Sequence, residues 1–333
     1  MRAPLATVAA LLVGAAPAAG ALPGWTIGSV TFAGNDLVAS QSGPVRSGRL
    51  VYYRTDVWRV PILRAGRTAP ERRVITVRTS IGPTSIAPLA GGASGAFALI
   101  ADGPDFTPPV IWCCDRKTGL QSVLESDGSP GARVPLAVGL SGANVRYLAR
   151  DGDTSVVATV DPATGSRTEI PVPGRPAGGI SAISGDTLAW VDSPPYDRGR
   201  TVRRGRVGVR AVTSLGSFRP PGTVISLATL DETIVALTLQ DSEWKVIRAS
   251  GIGGAARIVW TGRARPVVAT GDGVVAVGVG REIRVGRGTK LRVVARLARP
   301  ARALAVNGRR VAWLDWARVA GRKKTLVRWL QLP

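Results

Sequence analysis

The sequence predicts an all-β chain that closes on itself as one β-propeller, and three observations carry that expectation. Gly (41 residues) and Pro (24) are spread through the whole chain. Apolar residues therefore arrive in short runs broken by turns, and no helical period is sustained after residue 20. A turn-and-strand unit also recurs at roughly forty-residue spacing. Finally, 333 residues are far more than one small core needs, which favours a large closed β architecture or two domains.

The clearest copies of the unit are Gly185-Asp-Thr-Leu-Ala-Trp-Val-Asp192, Gly308-Arg-Arg-Val-Ala-Trp-Leu-Asp315 and Gly95-Ala-Phe-Ala-Leu-Ile-Ala-Asp102. Each sets a turn glycine seven residues before an aspartate, with an apolar strand between them. Weaker copies start at Asn35-Asp36, Gly142-Ala143-Asn144, Asp231-Glu232 and Gly271-Asp-Gly273. The shared register predicts that Leu99, Trp190, Val235, Val275 and Ala312 occupy equivalent strands. An apolar strand precedes each turn and a second hairpin follows it, often closed by a polar turn such as Asp115-Arg-Lys-Thr-Gly119, Asp161-Pro-Ala-Thr-Gly165 or Gly286-Arg-Gly288.

Four short antiparallel strands per unit is the pattern of propeller blades, and a ring of blades leaves no long exposed edge. Seven blades are expected, with six as the alternative because the first two units are long and irregular. The last unit runs out after three strands, at Lys324 to Leu330, and Trp25 to Val30 is expected to supply its missing outer strand. Paired β-sandwiches give no reason for so many copies, and a β-helix prefers shorter coils.

These units resemble the exported bacterial propellers grouped with the WD40-like and TolB-like repeats, in which turn, apolar strand, Asp, loop and second hairpin follow in the same order. The resemblance spans nearly all of the chain after the first two dozen residues. It departs from eukaryotic WD40 blades, since His is absent and Trp190 and Trp313 stand two residues before their aspartates. The resemblance implies a binding platform.

Residues 1–21 read as a secretory signal peptide: Arg2, an apolar stretch from Leu5 to Val13, then small residues from Gly14 to Ala21. Cleavage after Ala18 or after Ala21 fits the small-x-small rule, and an uncleaved anchor is the alternative. Residues 22–333 then form the propeller domain, with no later transmembrane segment. The expected location is secreted, periplasmic or at the cell surface.

The formal charge is +22, from 44 Lys and Arg against 22 Asp and Glu. It reflects either the coding habit of a GC-rich genome or a preference for anionic partners. Cys113 and Cys114 are adjacent, which suits two small buried thiols or a strained vicinal disulfide better than a metal pair.

The absence of histidine removes His-dependent acid and base catalysis, serine–histidine and cysteine–histidine nucleophiles, and most zinc, copper and haem ligation. No cofactor and no metal site is expected. The Asp161–Gly165 turn is similar to the Asp-x-x-Thr-Gly of quinoprotein repeats but lacks the tryptophan that should follow, so it reads as a hairpin turn.

Asp102, Asp192 and Asp315, with Asp151 or Asp153 and Asp241, should follow the second strand of their blades and ring one face. There they either form an acidic site or bond turn amides. The loop from Ser193 to Arg206, with Tyr196, Arg203, Arg204 and Arg206, and the stretch from Trp316 to Lys324, with Arg322, Lys323 and Lys324, should emerge on the same face as a basic patch. Trp58, Trp112, Trp244 and Trp260 are expected in outer strands, packed between blades.

The function this supports is a monomeric, non-enzymatic binding or protein-interaction scaffold. A protein or an anionic envelope polymer or surface is the expected partner. Nucleic acid is disfavoured, since no finger, helix-turn-helix or RNA-recognition spacing occurs. The alternative is a lyase or glycoside-hydrolase type of propeller enzyme working with carboxylates.

Overall fold

The computed structural model describes residues 21–23, 27–47, 50–63, 71–79, 89–92, 95–101, 110–114, 121–125, 133–192, 201–230, 232–249, 254–319 and 322–332. Among them every regular element is a strand, and no helix is long and apolar enough to cross a membrane.

After a short N-terminal strand, β1 (Ala21–Pro23), sheet 1 is built from β2 (Ile27–Ala33), β3 (Asp36–Ser47), β4 (Leu50–Pro61) and β5 (Arg72–Thr79). Sheet 2 holds β6 (Leu89–Gly91), β7 (Phe97–Ala101), β8 (Val110–Cys114) and β9 (Gln121–Glu125). Sheet 3 holds β10 (Val134–Ser141), β11 (Asn144–Asp151), β12 (Thr154–Val160) and β13 (Arg167–Pro171). Sheet 4 follows with β14 (Pro176–Ser184), β15 (Thr187–Asp192), β16 (Val202–Val207) and β17 (Val212–Phe218). Sheet 5 takes β18 (Thr223–Leu230), β19 (Thr233–Gln240), β20 (Glu243–Ala249) and β21 (Arg257–Gly262). Sheet 6 takes β22 (Val267–Gly271), β23 (Val274–Val279), β24 (Glu282–Gly286) and β25 (Arg292–Arg296). Sheet 7 consists of β26 (Ala303–Asn307), β27 (Arg310–Val319), β28 (Arg322–Gln331) and, on its outer edge, β1.

Sheets 1 to 6 are antiparallel meanders whose first strand lies innermost, and sheet 7 keeps that order with β1 as its outer strand, a β-propeller arrangement. Leu99, Trp190, Val235, Val275 and Ala312 all fall in second strands, namely β7, β15, β19, β23 and β27. Trp58, Trp112 and Trp244 lie in third strands and Trp260 in a fourth.

The outer strand that completes sheet 7 is not Trp25 to Val30. Ala21, Leu22 and Pro23 pair with Leu326, Thr325 and Lys324, whereas Ile27–Ala33 is the innermost strand of sheet 1. The reason is local. The Gly34-Asn35 turn folds Ile27–Ala33 straight back on Asp36–Ser42, and the alternation of Val30 and Phe32 fits a buried strand. Proline is tolerated on an outermost strand because one side needs no ladder donor, which suits Pro23.

The core sits in the seams between sheets. Val30, Phe32, Leu37 and Ala39 of sheet 1 pack with Ala312, Leu314 and Val327 of sheet 7, while Ala33, Val38 and Val57 pack with Phe97 and Leu99 of sheet 2. Corresponding clusters join sheets 2 and 3, 3 and 4, 4 and 5, 5 and 6, and 6 and 7. Innermost strands come so close that some positions admit no side chain. A Cβ on Gly91 would lie 1.8 Å from the Phe32 carbonyl oxygen, and one on Gly139 would lie 2.3 Å from that of Ile183.

Arginines tie one sheet to the next at the turn between first and second strands. Arg59 Nη2 donates to the Gly95 carbonyl at 2.7 Å, and Arg146 Nη1 donates to that of Gly185 at 2.7 Å. Arg206 pairs with Glu232 in the sheet 5 turn. Arg310, on the last sheet, donates to the Gly34 carbonyl at 3.2 Å and lies over the Phe32 ring. Arg310→Ala is therefore expected to cost about 1–3 kcal/mol, a charged hydrogen bond with its ring contact. Exposed Arg309→Ala should cost close to nothing, and urea midpoints of the two variants check this.

Candidate binding faces and central cavity

The innermost strands of all the sheets surround a cavity of about 510 Å³. Its wall is small and hydroxyl-bearing, with Ser29, Thr31, Ser181, Ser226, Thr229 and Thr270 among the lining residues. Asp272 is the single ionisable residue among the described lining residues, although the chain carries 66 charged side chains counted as 44 basic and 22 acidic. It sits in the sheet 6 turn between first and second strands, exposed and left-handed with φ 48°. Ser and Thr in the first strands of sheets 1, 4, 5 and 6 are a sequence signal for this wall, one that copies aligned on their second strands do not display.

Asp192 and Asp315, at the ends of their second strands, are buried and paired, whereas Asp241 is exposed. Asp192 is 2 % exposed. Its Oδ2 accepts from Arg203 Nε at 2.5 Å, and its Oδ1 accepts from the Arg175 amide at 3.0 Å and the Trp190 indole N–H at 3.2 Å. Asp315 repeats the arginine contact, its Oδ2 accepting from Arg328 Nε at 2.9 Å. Pairing of Trp190 with Arg203 and of Trp313 with Arg328 sets each arginine diagonal to the aspartate two residues on. Burial pushes the Asp315 carboxyl above the usual carboxylate range, opposed by the Arg328 charge.

The arginines assigned to a loop lie in a strand. Arg203, Arg204 and Arg206 belong to β16, paired with β15 and β17. Val202 and Val207 bury both ends of that strand, so its arginines are interleaved with apolar positions and do not form a solvated run. Arg204 is 3 % exposed, near the Phe218 ring, with its pKa lowered by burial. The strand also runs across the disc, so Arg206 pairs with Thr187 and lies toward the opposite face from Arg203.

Arg322, Lys323 and Lys324 are likewise in a strand, β28, paired with Val319, Arg318 and Ala317. Asp102 and Tyr196 lie outside the described residues. Asp151 and Asp153 flank the β11–β12 turn, where Asp151 pairs with Arg133 and Asp153 with Arg175.

The Asp161–Gly165 turn is a hairpin connection. The Asp161 carboxylate accepts from the Ala163 amide at 2.8 Å and from the Thr164 hydroxyl at 3.0 Å, and the amide bond above all lowers its pKa. Cys113 is buried in the cluster between sheets 2 and 3. The side chain of Cys114 lies outside the described residues.

No protein-family model matches the chain, and no curated protein matches it in sequence. Solved structures do match in fold. A chain of the mitotic checkpoint complex is 11% identical, with 98% of this chain and 96% of that one covered and a TM-score of 0.58. The β-propeller domain of the Trilobed protease from Pyrococcus furiosus, described as having an open velcro topology, is 11% identical over 92% and 98%, with a TM-score of 0.57. The β-propeller domain of Cps50 (Swd1) from Myceliophteria thermophila is 10% identical over 93% and 98%, with a TM-score of 0.55. At such identities the likeness establishes the fold alone, and the fold class is the β-propeller, WD40 propellers among its neighbours.

Proposed function

We propose that this chain is an exported, non-enzymatic β-propeller of seven blades, latched by its N-terminal strand, that serves as a binding or protein-interaction scaffold in the cell envelope or outside the cell. The carrying observation is where the reactive side chains are engaged. Asp192 and Asp315 are buried against arginines, and the cavity wall has one described carboxylate, Asp272. Acid–base transfer to a glycosidic bond asks for two carboxylates flanking one cleft. Binding by loops and edges on a rigid repeated frame asks for none.

A protein partner suits this reading, since one matching chain comes from the structure of a complex. Export rests on the leader-like residues before β1. The purified protein, incubated with envelope extracts, is expected to retain a partner reproducibly while showing no turnover of acidic or neutral polysaccharides. Turnover that disappears in Asp272→Asn would overturn the reading in favour of a carboxylate enzyme.

A further inference from the structure

Sheet 7 is finished differently from the others. In sheets 1 to 6 the fourth strand pairs with the third almost to its last residue, as at Val160↔Arg167 and Val207↔Val212. In sheet 7 the fourth strand is β1, whose pairing stops at Leu326 although β28 runs on to Gln331. Among the described residues nothing pairs with the outer edge of β28 from Val327 to Gln331.

The ladder fixes which main-chain groups that edge presents. The Leu332 amide donates to the Arg309 carbonyl, and Arg310 lies opposite Gln331, so Leu332, Leu330 and Arg328 turn their main-chain N–H groups toward β27. Successive residues of a strand point these groups to opposite sides. Val327, Trp329 and Gln331 therefore present N–H and C=O outward, where a further strand would take them up. The same parity turns Thr325 toward Leu22 of β1 and sets Pro23, which has no N–H, where no donor is needed.

The uncovered stretch has apolar neighbours on both faces. Trp329 packs in one seam with Trp58 and Ile62 of sheet 1, and Leu330 in the other with Val294 and Ala295 of sheet 6. At the same height the fourth strands of sheets 3, 4 and 5 each bury one aliphatic residue among more exposed neighbours, namely Ile170, Leu215 and Val259. The register gives that height, since Val157 lies opposite Leu148 and Val327 opposite Leu314, equally far from their turns. The residues that precede Ala21 are Gly20, Ala19 and Ala18, none with a side chain larger than a methyl group. A leader cut after Ala18 would leave only the first two of them, which in the register of β1 come no further than Arg328.

We propose that the outer edge of β28 from Val327 to Gln331 is the docking seat for an extended segment of a partner protein, added as an outer strand end to end with β1. The segment carries one aliphatic side chain between polar ones, as the fourth strands of sheets 3 and 4 do. This deepens the protein-interaction reading of the scaffold and rests on it. In strand addition the main-chain bonds supply affinity and the pocketed side chain supplies specificity.

Amide hydrogen exchange of the full chain, with and without the uncharged peptide acetyl-Thr-Thr-Ile-Thr-Thr-amide, tests this without help from the net charge. Alone, the Val327, Trp329 and Gln331 amides should exchange much faster than those of Leu326, Arg328 and Leu330. Saturating peptide should slow the exposed set about tenfold or more, at one peptide per chain. Of two peptides N-methylated at alternate residues one should bind and the other should not, because every second N–H of a strand faces its neighbour. Gln331→Pro removes one outward donor and no bond to β27, and should weaken binding about fivefold. Should that variant melt below the unaltered protein, the two methylated peptides decide on the unaltered protein.

Slow exchange at Val327 and Trp329 without peptide would mean that the edge is already covered, by the chain's own residues or by a second copy, and would overturn the seat. So would equal binding of both methylated peptides, binding of several peptides per chain that Gln331→Pro leaves unchanged, or no binding at millimolar peptide. Each of these leaves the scaffold reading standing. Hydrolysis of the peptide would overturn the scaffold reading itself.

Discussion

A chain starting at Gly24 is expected to melt roughly 5–10 °C below one starting at Ala19 and to self-associate, while a chain starting at Gly34 is expected not to fold. The first deletion removes β1, which contributes backbone pairing at Ala21, Leu22 and Pro23 along β28. At about 1 kcal/mol net per hydrogen bond this is a loss of a few kcal/mol, and each kcal/mol moves the melting point of a domain somewhat smaller than this one by about 2–4 °C. It also uncovers the edge of β28, which templates pairing with another chain.

The second deletion removes β2, and with it Val30, Phe32 and Ala33 from the clusters that join sheet 1 to both of its neighbours. Were the residues before β1 removed as a leader, a cut after Ala18 would keep β1 whole and a cut after Ala21 would shorten it. Differential scanning calorimetry and light scattering compare the three chains. Coincident melts for chains starting at Ala19 and Gly24 would mean that β1 holds nothing in place.

Replacing Arg328 with Met should cost roughly 2–4 kcal/mol at neutral pH, because it strands the Asp315 carboxylate, 5 % exposed, without its counter-charge. The lower part of that range applies, since the Arg328 side chain is 28% exposed and solvent screens the pair. The pH dependence has a definite sign. Burial already holds the Asp315 pKa above its ordinary value. The folded state therefore binds this proton more tightly than the unfolded chain does, and stability falls as pH rises through the folded pKa.

Loss of Arg328 raises that pKa further. The deficit of the variant should therefore shrink on acidification, as the carboxyl is protonated and its burial no longer opposes a charge. Adding Asp315→Asn should recover most of the deficit at neutral pH. Urea titrations at about pH 7 and about pH 4.5 decide it, and a loss of the same size at both would assign Arg328 a packing role only.

Strand after strand, the architecture was legible because its determinants are local. A left-handed glycine at Gly185 (φ 54°) and Gly308 (φ 57°) opens a hairpin whichever sheet it joins. Leu188 to Val191 and Val311 to Leu314 are buried without a break, and a short continuous apolar run between turns is a signal that a single strand displays. Basic excess and lack of histidine were likewise composition, readable without a fold.

The latch and the placement of charge were decided only in three dimensions. Three residues at Ala21–Pro23 carry no strand signal of their own, and become one only because β28, some 300 residues later, presents a free edge. Arg203 and Arg206 look alike in a basic run, yet one is held by Asp192 and the other reaches Glu232 in the next sheet, since a strand crosses the disc from one face to the other. A charge is part of the frame or part of the surface according to which carboxylate folding brings within reach. That partner is set by the packing of sheets distant in sequence, so runs of arginine alone do not distinguish the two.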